Sequence, residues 1–183
     1  VVDEANVLTR SADNAQVGPA PDTRYRLVTK ADSDKIYPRP VVVGMGPCGM
    51  FAGLLLAQMG LRPIIIERGK KARARSKDVF HFWKTGELNQ RSNVQFGEGG
   101  AGTFSDGKLT TRIKDKKNRV RKVLEELVVA GAPEEILWIG KPHIGTYKLI
   151  KVVRNLRASI AALGGETRFE TQVTELLTNN DRV

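Results

Sequence analysis

The sequence predicts an α/β fold, with a parallel central sheet flanked by helices, from three observations. Two short β-branched runs, Val41–Val43 and Ile64–Ile66, bracket a glycine-rich turn and an apolar segment of helical length. Further apolar residues recur at helical spacing downstream. Turns rich in glycine and proline punctuate every one of these segments, as strand–helix alternation requires.

Taken in chain order, residues 1–38 carry little periodicity, and their Asp, Asn, Ala, Gly and Pro content reads as a linker or the end of an upstream region. Within them, Arg24–Lys30 is expected to be a short strand. Val41–Val43 follows Pro38 and Pro40 and is expected to be a buried parallel strand. Met50–Met59 reads as a helix ended by Gly60, and Ile64–Ile66 as a second strand closed by Glu67. Strand, turn, helix and strand within about 30 residues make a βαβ unit. A helix is expected within Ser76–Leu88 and a second glycine loop over Gly97–Gly107. Another helix follows, built on Val120, Val123, Leu124, Leu127 and Val128 and stopped by Gly131-Ala-Pro133. Ile136–Ile139 reads as a strand, Tyr147–Leu163 as an amphipathic helix ended by Gly164-Gly165, and Thr167–Leu177 as a strand. The terminal Thr178–Val183 looks like a hairpin turn with its return strand barely begun. The chain also opens on Val1 rather than Met, so it reads as a fragment in which residues 39–183 form one incomplete domain.

Composition narrows the function classes. With 183 residues, 40% hydrophobic and 27% charged, the chain can bury a core and stay hydrated. No apolar run approaches the roughly 20 residues a membrane span needs, so no membrane insertion is expected. Without a signal-peptide pattern a cytoplasmic location is expected, or an organellar stroma or matrix if a targeting peptide has been removed. Cys48 is the single cysteine, which rules out an intrachain disulfide and a dithiol mechanism within this chain. His81 and His143 are too few and too isolated for a zinc site, so no metal is expected. The net charge of +10 is concentrated in Arg68–Lys77 and Arg112–Lys122, both read as solvated faces. A nucleic-acid-binding module is the alternative that this charge raises. The aromatic stacking surface and the zinc-finger spacing that such modules use are missing, so no nucleic acid is expected.

The chemistry lies in the glycine turn. Gly44, Gly46 and Gly49 form G-x-G-x-x-G directly after a strand and at the start of a helix. In such a motif the first glycine makes the tight turn, the second admits backbone close to a pyrophosphate, and the third lets the helix lie against the strand. Gly53 extends that close packing by one turn. The helix N-terminus offers free N–H groups and the positive end of its dipole to phosphate. Glu67 ends the second strand, at the separation where an acid accepts hydrogen bonds from a ribose. Its negative charge disfavours a 2′-phosphate. The fold is therefore expected to be Rossmann-like and to bind a dinucleotide. In the second loop Gly97, Gly99, Gly100 and Gly102 let backbone N–H groups converge on an anion, with Thr103 and Ser105 as hydroxyl donors and Lys108 as a cation. Lys108 is read in two ways, as a charge that stabilises negative charge on a bound cofactor or as a surface lysine after a turn.

The run Gly44–Gly60 followed by Ile64-Ile-Ile-Glu-Arg68 resembles the FAD-binding fingerprint of the glutathione-reductase-like flavoproteins, G-x-G-P-A-G-L-x-A-A with a second strand ending in E-R. Ser92–Leu109 and Lys141-Pro-His-Ile-Gly-Thr146 are similar to a family of predicted FAD-dependent dehydrogenases. The resemblance covers about residues 39–183. It implies a FAD/NAD(P)-binding domain with a small β layer, and an FAD-dependent oxidoreductase whose substrate the sequence does not reveal. NAD(P)H is a candidate electron donor in the full-length protein, and an NAD(P)-binding dehydrogenase is the alternative. Residue by residue, the resemblance sets Gly44, Gly46, Pro47, Cys48 and Gly49 under the FAD pyrophosphate, Glu67 on the adenosine ribose and Arg68 beside the adenine end. It also brings Gly99, Gly100, Ala101, Gly102, Thr103, Ser105, Lys108 and Leu109 to the pyrophosphate and flavin, and the backbone of Val173 to adenine. Cys48 stands where alanine is commoner and Met50 where leucine is; neither disturbs the glycine geometry.

Overall fold

The computed structural model describes residues 3–32 and 38–178. Its elements run α1 (Glu4–Arg10), β1 (Val41–Val43), α2 (Pro47–Gln58), β2 (Ile64–Ile66), α3 (Ala72–Thr85), α4 (Arg119–Val129), α5 (Thr146–Ala162) and β3 (Glu166–Arg168), with 3-10 turns at Gly100–Phe104 and Glu134–Leu137. The three strands form one parallel sheet in the order β1-β2-β3, with Val42 opposite Ile65 and Ile65 opposite Thr167. The expected α/β architecture and its βαβ unit are present.

One face of this sheet carries the core. Ile65 is fully buried among Met50, Leu54 and Ala57 of α2, Leu127 of α4, and Val152, Val153, Leu156 and Ile160 of α5. Helix α2 lies unusually close to the sheet, because a Cβ at Gly53 would stand 2.3 Å from the Ile65 Cδ1. Val42 packs on the same cluster. Val41 and Val43 point the other way, as alternate residues of a strand must, and are 56% and 63% exposed. The expected burial of β1 therefore holds on one face only.

Several expectations are corrected. Ile136–Ile139 is no strand: the chain turns locally, with the Trp138 and Ile139 amides both donating to the Glu135 carbonyl. A short apolar run has the same appearance in a strand as in a turn that buries one residue, here Ile136. The strand expected over Thr167–Leu177 is confined to Glu166–Arg168. Glu170 takes a positive φ of 53°, and the Glu170 and Thr171 amides fold back onto the Gly69 and Glu67 carbonyls. Arg24–Lys30 forms no strand, whereas Glu4–Arg10 is a helix that buries nothing, with Asp3 accepting the Asn6 amide. No second β layer is present among the described residues; the one further β pairing is the bridge between Lys108 and His143. The hairpin expected at the end of the chain falls on residues 178–183, of which 179–183 lie outside the described residues.

Helix α3 begins at Ala72, earlier than the apolar pattern suggests, because its first free amide is satisfied from a distance. The Glu98 carboxylate accepts the Ala72 N–H at 2.7 Å, and Gly86 closes the other end in the left-handed conformation.

Candidate functional site

The end of β1, the end of β2 and the second glycine loop converge at the N-terminus of α2. The Gly44 amide donates to the Ile66 carbonyl at 2.7 Å, which joins the ends of β1 and β2, and the Gly99 amide to the Met45 carbonyl at 2.8 Å, which joins the two glycine loops. Pro47 opens α2, where its missing N–H costs no hydrogen bond, and no side chain caps the helix. The amides of the first turn therefore have no intrahelical acceptor.

Glu67 is only 4% exposed, and its carboxylate binds backbone on both sides. Its Oε2 accepts the Met45 N–H at 2.7 Å and its Oε1 the Gly69 N–H at 2.8 Å. A carboxylate offers about four acceptor directions, so two remain for hydroxyl donors from a ligand. Glu67 thus shapes the glycine turn and still faces a cavity of about 260 Å³, lined also by Gly44, Gly46, Arg68, Phe96 and Val173. The Arg68 guanidinium carbon lies over the Phe96 ring, 3.9 Å from its centroid, and its Nε is buried without a hydrogen-bond partner among the described residues. A larger cavity of about 520 Å³ is bounded by Pro47, Cys48 and Phe51 of α2, by Gly99, Gly102, Thr103, Ser105, Lys108 and Leu109 of the second loop, and by apolar side chains of α4 and α5. Gly46 and Gly100 line the smaller cavity, and Pro47 and Gly102 the larger one. The two cavities therefore flank the start of α2.

The three motif glycines differ in what requires them. A Cβ at Gly49 would stand 2.0 Å from the Gly44 carbonyl oxygen, so helix–strand contact excludes a side chain there. Gly46 is the opposite case. Its φ of −71° and ψ of −177° suit any residue, and nothing lies within 4 Å of where its Cβ would be. No protein contact excludes a side chain at Gly46, and the residue lines the smaller cavity.

Other sequence-identified residues fall as follows. Cys48 is exposed on the rim of the larger cavity. The Thr103 hydroxyl donates to the Glu98 carbonyl and the Ser105 hydroxyl to the Gly102 carbonyl, both at 2.8 Å, so these expected ligand donors close the loop on itself. Ala101 is exposed on the same turn. Lys108 is 76% accessible and pairs with Asp106 at 3.3 Å, a surface lysine at the cavity edge. Val173 reaches the smaller cavity from an irregular segment rather than from a strand. Cation clusters at Arg68–Lys77 were expected to be solvated, but Arg75 is fully buried. Its Nε and Nη1 donate to the Asn93 and Glu98 carbonyls, each at 2.8 Å, and its Nη2 to the Val94 carbonyl. Burial lowers its pKa to about 10 against the opposing pull of Glu67 and Glu98, so it stays charged at neutral pH. Nothing in the local sequence separates this arginine from its neighbours except its place one turn from Val79 on the buried side of α3. His81 meets Glu87 at 3.0 Å on the surface, and His143 contributes backbone to the bridge with Lys108. Among the described residues no cluster of His, Cys, Asp and Glu is arranged to hold a metal, and no helix is long and apolar enough to cross a membrane.

Residues 39–183 match the family described as FAD binding domain. The chain belongs to that family. An uncharacterized protein of Clostridium beijerinckii is 54% identical over 147 residues, which cover 80% of this chain and 27% of that protein. The chain thus spans about a quarter of the length of that relative.

Proposed function

We propose that the chain is the FAD-holding part of an FAD-dependent oxidoreductase of dehydrogenase type, within the glutathione-reductase-like flavoproteins and with a Rossmann-like core. Residues 39–183 form its partial FAD-binding domain, and residues 1–38 are a linker or the end of an upstream region. The observation that carries this reading is Gly46, whose missing side chain leaves open space at the mouth of an uncapped helix beside a cavity with an acid at its far side. Gly44, Gly46, Pro47, Cys48 and Gly49 then surround the pyrophosphate, which the first-turn amides and helix dipole of α2 stabilise. Glu67 accepts ribose hydroxyls with its two unused acceptor directions, and its charge repels a 2′-phosphate. Arg68 and the Val173 backbone border adenine. The larger, apolar cavity suits a flavin ring, with Gly99, Gly100, Ala101, Gly102, Thr103, Ser105 and Leu109 shaping its approach through backbone and Lys108 at its edge.

Bound FAD supplies the electron-transfer chemistry, and this chain's residues bind it, orient it and exclude water from it. NAD(P)H is the proposed electron donor of the full-length protein. The test is direct. Purified full-length protein should show flavin absorbance that is released on denaturation and restored by added FAD. Colourless protein that takes up no FAD, or that binds NAD(H) in its place, overturns the reading.

A further inference from the structure

Arg75 touches neither cavity, yet it is bonded to the segment that walls both of them. Its guanidinium joins the carbonyls of Asn93, Val94 and Glu98, and so pins both ends of the arc Gln95-Phe96-Gly97. Those three residues line the smaller cavity. Its stem occupies the space that a side chain on Gly97 would need: a Cβ there would meet the Arg75 Cδ at 2.5 Å. On its other side the guanidinium lies 4.9 Å from the Phe104 ring centroid, at the end of the turn Gly100–Phe104 that borders the larger cavity. A planar fork with five N–H donors can serve three divergent carbonyls at once, whereas a lysine ammonium is a single point of charge.

Other bonds hold the loop at single points, the Glu98 amide on the Lys70 carbonyl and the Gly99 amide on the Met45 carbonyl, whereas Arg75 joins three of its carbonyls at once. Gly97, Gly99 and Gly100 all sit at positive φ, so the backbone there is intrinsically free to adopt many conformations. Asp78, which receives Lys70 and the buried Ser92 hydroxyl, anchors the start of the segment to α3. Arg75 anchors its middle.

We infer that Arg75 is a positioning residue for the cofactor, a buried guanidinium that sets the curvature of residues 93–104 so that the walls of both cavities face the α2 N-terminus together. This role rests on the FAD reading above. It predicts that the cost of altering Arg75 appears in cofactor affinity beyond any general loss of stability.

The experiment compares Arg75→Lys with Ile160→Val and Ile160→Ala in the full-length protein. The Ile160 variants bracket a range of destabilisation from the buried face of α5, away from both cavity linings. FAD dissociation constants are measured well below every unfolding midpoint, and amide hydrogen exchange is followed in the FAD-free proteins. Arg75→Lys should weaken FAD binding about tenfold, as loss of one buried hydrogen bond to a charged group would. It should also speed exchange over residues 95–100, while the Ile160 variants do neither. A second variant, Phe104→Leu, removes the ring beneath the guanidinium and keeps the carbonyl bonds, and should weaken binding roughly threefold. Unchanged affinity in both variants, or losses that track stability as they do at Ile160, overturn the positioning role. Wild-type protein with no affinity for FAD overturns the proposed function and this role with it.

Discussion

The Glu67 carboxylate accepts the Met45 amide at 2.7 Å, across 22 residues of chain, and so ties the end of β2 to the glycine turn that follows β1. The same group accepts Gly69 at 2.8 Å. An acid identified by its spacing from the glycines is thus also the fastener that gives those glycines their shape.

Glu67→Gln tests this double role. An amide presents one oxygen where the carboxylate has two, so one of the Met45 and Gly69 N–H groups loses its acceptor. Stability should fall by about 1–3 kcal/mol, the cost of a buried unsatisfied donor. Urea unfolding measures the loss, and FAD titration should show weaker binding. Unchanged stability would mean that the turn does not depend on the carboxylate.

Gly46→Ala and Gly49→Ala should separate. At Gly49 the new methyl group meets backbone at 2.0 Å, so the apo protein should lose on the order of 1–3 kcal/mol as α2 is pushed off the strand. At Gly46 the backbone already suits alanine and the space is open, so apo stability should stay within about 0.5 kcal/mol. FAD affinity should fall in both variants. Thermal melts with and without FAD provide the readout, and a Gly46→Ala protein with wild-type FAD affinity would count against pyrophosphate at that glycine.

Glu98→Ala removes a fully buried carboxylate that caps α3 at Ala72 and lies 3.3 Å from Arg157. It leaves one cation without its partner in a largely buried setting. Destabilisation of about 3–5 kcal/mol is expected, with the first turn of α3 losing amide protection ahead of α5. Equal loss of protection along both helices would refute the capping role.

Acid should loosen the second loop through Asp78. Burial raises its pKa, but hydrogen bonds from Lys70 and Ser92 outweigh this and hold it below the ordinary carboxylate range. Its folded pKa is therefore depressed. The stability it contributes is fully present above the unfolded value of about 3.9 and is lost as pH falls through the lower folded value. Asp78→Asn should show a shallower loss of stability below pH 4 than the wild type. Superimposable pH profiles would remove Asp78 from the account.

The βαβ unit was legible because each of its signals is local. Val41–Val43 and Ile64–Ile66 are β-branched, Gly44, Gly46 and Gly49 stand at fixed offsets, and the helix that follows is apolar. Glu67 was legible for the same reason, since its place is set by counting along a short unit. Ile136–Ile139 and Thr167–Leu177 were misread because alternation records only which side chains face inward. A strand also needs a neighbour with free backbone groups, and after Arg168 the chain donates to Gly69 and Glu67 carbonyls instead.

Sequence alone determined the α/β class, the position of the glycine turn and the acid that faces it, because backbone conformation and residue spacing decide those within about 30 residues. Tertiary structure alone decided that the Glu67 carboxylate binds backbone on both sides, that the Thr103 and Ser105 hydroxyls donate to carbonyls of their own loop, and that α3 starts under the Glu98 carboxylate. It also separated Arg75 from the other cations of Arg68–Lys77. A guanidinium is buried only where several carbonyls converge on it, and these come from residues 93, 94 and 98, about twenty positions further along the chain.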